Sequence, residues 1–79
     1  MKVRNPEYLK AFGKNLDNLI KKSKMKPEDV AVHGNIESKQ VYRAINAERS
    51  ITLSTLVAIA RGLNVPPAKL LDFEFKFEE

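Results

Sequence analysis

PEDVAVHGNIESKQVYRAIN, residues 27–46, is the stretch whose reading decides the fold. Pro27 followed by Glu28 and Asp29 is a helix start, because proline suits the first turn and acids there meet the positive end of the helix dipole. The helix is short: Val30 and Ala31 turn inward, and His33-Gly34-Asn35 stops it, Gly and Asn being the residues that most readily take positive φ. A second helix is expected from about Ser38 to Ala47, with Val41, Ala44 and Ile45 on its inward face. Two helices around so short a turn form a helix-turn-helix, whose second member can enter the major groove of DNA. Similar helix pairs occur in proteins that never touch DNA, so the outward face of residues 38–46 has to be weighed by itself.

Successive helix residues rotate by about 100°. With Val41, Ala44 and Ile45 inward, Lys39, Tyr42, Arg43 and Asn46 face away, Gln40 lies to one side and Ser38 sits at the leading tip. Arg43 can bridge guanine O6 and N7, Lys39 can do similar work, and Gln40 can read adenine or hold a phosphate. Tyr42 can touch a thymine methyl or a phosphate. The same residues also suit an ordinary solvated helix face. Phosphate contacts are expected to flank the reading helix: Asn46, Arg49 and Ser50 follow it, and Lys26 with the backbone amides of residues 27–29 lies at the start of the preceding helix. Glu37 and Glu48 bracket the helix and oppose phosphate, although Glu37 can instead cap the helix or accept from a cytosine amino group.

Working outward, Asn5-Pro6 is a further helix start, and Leu9, Phe12, Leu16, Leu19 and Ile20 recur at steps of three and four up to about Ser23. Lys21, Lys22, Lys24 and Lys26 cluster at its end, where cations suit the helix dipole. On the other side, Thr52 is a plausible cap for a helix from Leu53 to about Gly62, with Leu53, Leu56, Val57, Ala60 and then Leu63 as its apolar face. Asn64-Val65-Pro66-Pro67 breaks it, and Ala68 to Leu71 is a short fifth turn. The tail Phe73-Glu74-Phe75-Lys76-Phe77-Glu78 alternates strictly. Either it pairs as a strand with a second copy or a partner, or it folds back irregularly and packs a phenylalanine on the helices.

A chain of 79 residues is one domain with a thin core, and without cysteine it has no disulfide or thiolate metal site to staple it. The formal net charge is +4, unevenly spread: residues 1–69 carry 13 Lys/Arg against 6 Asp/Glu, a balance of +7, and residues 70–79 carry 1 against 4, a balance of −3. A basic body favours an anionic partner, nucleic acid before membrane surface. No apolar run approaches the roughly 18 residues of a membrane span. Met1-Lys2-Val3-Arg4 leads into a mixed helix rather than a signal-peptide core, so the chain reads as soluble and cytoplasmic. Catalysis finds little support. His33 is the lone histidine and sits in a turn, the acids are dispersed, and neither a phosphate-cradling glycine loop nor a nucleophile motif is present. No cofactor or metal is expected.

From about Phe12 to Phe75 the chain resembles the lambda-repressor/Cro-like (XRE-type) helix-turn-helix family. The residues behind this are Phe12-Gly13-Lys14-Asn15-Leu16, then Val30-Ala31, Ile36 and Val41, then the run Val41-Tyr42-Arg43-Ala44-Ile45-Asn46 with Ala47-Glu48-Arg49. The strongest stretch is residues 52–65, TLSTLVAIARGLNV, with Leu70-Leu71-Asp72-Phe73 behind it. The resemblance implies an all-α fold of five short helices, dimers on pseudo-palindromic operators, and base reading by Ser38, Lys39, Tyr42 and Arg43. Three positions depart from the family pattern: Asn35 replaces a turn glycine, Ala47 replaces the glycine after the reading helix, and Pro27 stands where a phosphate-holding glutamine is common.

The expectation is therefore an all-α helix-turn-helix domain over residues 1–72, with a short extended tail over 73–79 that can contact a dimer mate or a partner. The function expected is sequence-specific transcriptional regulation, by a repressor acting as a homodimer on double-stranded DNA. The base-reading set is Ser38, Lys39, Tyr42 and Arg43, and the flanking set is Lys26, Gln40, Asn46, Arg49 and Ser50. The alternative is a protein-interaction module, such as the antitoxin of a toxin–antitoxin pair, suggested by Phe73, Phe75 and Phe77.

Overall fold

Asn5 and Pro6 open the first helix as their chemistry dictates: the Asn5 side chain accepts the Tyr8 backbone N–H at 3.0 Å, and Pro6 occupies the first turn. The computed structural model describes residues 5–77, so Met1-Lys2-Val3-Arg4 and the Glu78 end of the alternating tail lie outside the described residues. Five helices follow one another: α1 Pro6–Lys22, α2 Pro27–Gly34, α3 Ser38–Ile45, α4 Leu53–Leu63 and α5 Pro67–Leu70. No strand occurs among the described residues.

The core is built where the apolar stripes meet. Phe12, Leu16 and Ile20 of α1, Val30 and Ala31 of α2, Val41 and Ala44 of α3, Leu56, Ile59, Ala60 and Leu63 of α4 and Leu70 of α5 are all buried. Each fully buried Leu or Ile contributes about 1.5–3 kcal/mol relative to exposure. No polar or charged side chain is buried among the described residues. On α4 the expected face is corrected. Leu53 and Val57 are exposed, at 77% and 45%, and Ile59 is fully buried. Leu56, Ile59, Ala60 and Leu63 already form an unbroken i, i+3, i+4, i+7 stripe, and Val57 is rotated about 100° from Leu56.

The first four helices end alike. In each, an amide bonds to the carbonyl five residues back: Met25 to Ile20, Ile36 to Ala31, Glu48 to Arg43 and Val65 to Ala60, at 3.0–3.2 Å. This is the Schellman closure, which needs a left-handed residue just before that amide. Lys24, Asn35, Ala47 and Asn64 supply it, with φ of 56–59°. The closure also explains why α3 stops at Ile45, two residues before the expected Ala47.

No glycine among the described residues has positive φ, so Gly34 does not form the turn; Asn35 does. The glycines lie instead where helices touch. A Cβ on Gly13 would fall 2.9 Å from the Ala44 carbonyl oxygen and closer still to that of Ile45, while Gly34 abuts the Ala58 carbonyl and Gly62 the Val30 backbone. Thus α1 lies directly against the C-terminal end of α3, and α2 against α4.

The fold closes where α1 meets α5. The Asn15 side-chain amide donates to the Leu70 carbonyl at 2.9 Å and reaches that of Lys69 at 3.4 Å, fastening α1 to α5. Beyond α5 the tail folds back irregularly, the second of the two options left by its alternation. Tyr8 meets Phe73 at 5.1 Å between ring centroids and Phe75 edge-on at 4.8 Å, and Phe77 stacks edge-on against Phe75. Phe77 remains 73% exposed.

Candidate nucleic-acid interface

Burial of Val41 and Ala44 against α1 and α2 leaves the opposite face of α3 outward. Lys39, Tyr42 and Asn46 are exposed there, and Ser38 and Arg43 are half-buried. Lys39 lies 3.7 Å from Glu37, both side chains being largely exposed. Such a pair is worth little and leaves Lys39 free to turn to another anion. Glu37 precedes α3 but its side chain makes no capping bond, so of the alternatives for Glu37 the cap is not realised.

The face has two flanks. On one, Gln40, Arg43, Arg49, Ile51 and Thr55 line a small cleft of about 100 Å³, which brings two sequence-selected arginines to one place. Gln40 is fixed there by a relay from α4: the Thr52 hydroxyl donates to Thr55 Oγ1 at 3.0 Å, and the Thr55 hydroxyl donates to Gln40 Oε1 at 3.3 Å. Thr52 is also the α4 cap, accepting from the Thr55 amide at 3.1 Å. With its oxygen engaged, Gln40 presents an NH₂ donor, which suits a phosphate or another acceptor better than the paired donor and acceptor of adenine.

On the other flank, the Tyr42 hydroxyl donates to Glu28 Oε2 at 2.6 Å, crossing from α3 to the first turn of α2. This bond is the main cause that holds the Glu28 carboxyl below its usual range and pushes the Tyr42 phenol above its own. Lys26 is near enough to favour the Glu28 carboxylate further. The amides at the start of α2 are exposed but partly engaged. Pro27 has no N–H, the Asp29 amide bonds to the Lys26 carbonyl at 2.9 Å, and the Asp29 carboxylate accepts the Lys26 amide at 2.9 Å.

Ser50 follows Arg49 and precedes Ile51, which line the cleft, but is not itself among the residues lining it. It borders a depression of about 340 Å³ shared with Asn5, Tyr8, Leu9 and Phe77, beside the folded-back tail. Sequence reasoning missed Glu28 and Thr55 as members of the site. Fourteen residues separate Glu28 from Tyr42 and fifteen separate Gln40 from Thr55, so no local periodicity connects either pair.

Among the described residues, no group of three or more His, Cys, Asp or Glu could hold a metal ion, and no helix is long and apolar enough to cross a membrane. Residues 15–76 match the sequence profile of the Cro/C1-type HTH DNA-binding domain. No curated protein sequence is significantly similar to the chain. Among solved structures, the restriction-modification controller protein C.AhdI from Aeromonas hydrophila superposes with a TM-score of 0.74 at 22% identity, covering 78% of this chain and 94% of that one. A tyrosine-to-alanine mutant of the restriction-modification controller protein C.Esp1396I also gives 0.74, at 20% identity, over 82% of this chain and 84% of that one. At these identities the likeness establishes the fold.

Proposed function

The chain belongs to the Cro/C1-type helix-turn-helix DNA-binding family, and from that premise we propose that it is a transcriptional regulator, a sequence-specific repressor that binds a pseudo-palindromic operator as a homodimer. The observation that carries the reading is the outward face of α3, where exposed Lys39, Tyr42 and Asn46 stand beside the cleft that holds Arg43 and Arg49. Ser38, Lys39, Tyr42 and Arg43 meet base edges, while Lys26, Gln40, Asn46, Arg49 and Ser50 meet the backbone around them. Residues 1–72 form the DNA-binding unit and residues 73–79 a contact tail. Two copies related by a two-fold axis would present α3 to successive major-groove turns, about 34–36 Å apart.

Selection of random duplex DNA at moderate salt tests this. One half-site should be enriched in inverted repeat. Arg43→Ala should then lose about 1–3 kcal/mol at one base position, and Lys26→Ala should weaken all duplexes alike and lower the salt slope by about one. Enrichment of no sequence would refute specific reading, and sedimentation showing only monomer at micromolar concentration would remove the dimer.

The interaction-module reading is weakened by the packing of Phe73 and Phe75 on Tyr8, which leaves Phe77 as the tail's exposed ring. Deleting the tail separates the two: loss of a co-purifying protein with DNA binding intact would favour the interaction role.

A further inference from the structure

Tyr42 reaches the outer face of α3 with its hydroxyl already engaged. The phenol proton goes to Glu28 Oε2 at 2.6 Å, so it is not offered to DNA. A phenol has one proton to donate, and its remaining lone pairs find no donor on a phosphate diester. The Glu28 carboxylate beside it also repels phosphate. The oxygen is drawn to Glu28 on α2, so the larger surface that Tyr42 has for a base edge is its ring, and the residue is 40% exposed on the face it shares with Lys39 and Asn46. An apolar ring in the major groove has one good partner on the base edges, the methyl group at C5 of a pyrimidine.

We propose that Tyr42 reads a pyrimidine 5-methyl group with its ring, and that Glu28 is the positioning residue that holds the hydroxyl aside so the ring faces the base. The inference rests on the reading of α3 as the major-groove helix and sharpens it. Of two contacts open to Tyr42 on sequence grounds, the bond to α2 selects the methyl over the phosphate. Thymine and 5-methylcytosine both carry that methyl, and the experiment distinguishes them.

The test uses the full chain and the duplex that it enriches from random DNA. Each thymine is replaced in turn by deoxyuridine, which lacks only the methyl, and each cytosine in turn by 5-methylcytosine. Losing one buried methyl should weaken binding roughly fourfold at one position per half-site. If the loss falls on a thymine, the base read is thymine; a gain of similar size at a cytosine identifies 5-methylcytosine. Tyr42→Ala should bind the methylated and unmethylated duplexes equally. Glu28→Ala should lose most of the discrimination, and Glu28→Gln, whose amide oxygen still accepts from the phenol, should keep it, with far-UV circular dichroism unchanged in both.

Affinity indifferent to the methyl at every position would overturn the proposal, as would discrimination that survives Tyr42→Ala. Discrimination retained in Glu28→Ala would remove Glu28 from its positioning role. Enrichment of no duplex by the wild-type chain would overturn the regulator reading itself, and this inference with it.

Discussion

Replacing Gly13 by alanine sets two effects of opposite sign against each other. Inside a helix, alanine is favoured over glycine by about 1 kcal/mol, so local propensity alone predicts a more stable protein. Packing predicts the reverse. The new Cβ would fall 2.9 Å from the Ala44 carbonyl oxygen and nearer still to that of Ile45, and both belong to the backbone of α3 rather than to a flexible side chain. Overpacking costs about 1–3 kcal/mol, and a rigid neighbour puts this case at the upper end. The net expectation is a loss of about 2 kcal/mol. In a domain of this size each kcal/mol moves Tm by about 4–8 °C, so Gly13→Ala should melt roughly 8–16 °C lower. Thermal and urea melts followed by far-UV circular dichroism measure it. A variant as stable as the wild type, or more so, would refute the argument, because it would show that α1 and α3 can separate at no cost.

Ala47→Gly should stabilise by about 0.5–1 kcal/mol: the left-handed backbone at φ 57° costs a non-glycine residue about 1–2 kcal/mol, and the added freedom of the unfolded chain offsets about 0.4–1. A lower urea midpoint would contradict this. Asn15→Ala removes the donor to the Leu70 carbonyl and should cost about 1 kcal/mol, read from the same urea midpoint; no change would mean that the latch between α1 and α5 does not hold.

The Tyr42–Glu28 bond makes stability depend on pH at both ends. Glu28 has a lowered carboxyl pKa in the fold, so its contribution is present above the ordinary value of 4.5 and is lost as pH falls through the lowered one. Tyr42 has a raised pKa, so its contribution is full below the ordinary value of 10.0 and is lost as pH rises through the raised one. In a titration followed by NMR of the Tyr42 ring, Glu28→Ala, which removes the hydrogen-bond acceptor, should bring the phenol back toward its ordinary range. An unmoved titration would mean that Glu28 is not the cause.

The helices were legible because their signals are local. Asn5, Thr52 and the proline at the head of α2 mark starts, and the stripe Phe12, Leu16, Ile20 sits at helical spacing, so the elements followed from neighbours in sequence. The outward set on α3 was legible for the same reason, since fixing Val41 and Ala44 inward fixes the rest by rotation. The partners of that set were not legible. Whether Glu28 meets Tyr42 depends on how α2 crosses α3, and whether Thr55 meets Gln40 depends on where α4 lies. The glycines misled in a related way. Gly34 reads as a turn former from composition, but its need for a missing side chain arises from the Ala58 backbone, which only the folded packing brings near.

The fastening of Asn15 to the Leu70 carbonyl, with Tyr8 packed under Phe73 and Phe75, also bears on the order in which the protein is made. Chains emerge from the ribosome at about 5–20 residues per second and fold as domains become complete. Here α1, made before the other described helices, has partners at the far end of the described residues: Phe12 and Leu16 share one core with Leu70, which is fully buried. The early helices therefore wait several seconds with that edge uncovered, at the roughly 5–20 residues per second of synthesis. A nascent chain arrested before Leu70 would expose α1 to proteases and chaperones, whereas one released past Phe75 could shut at once.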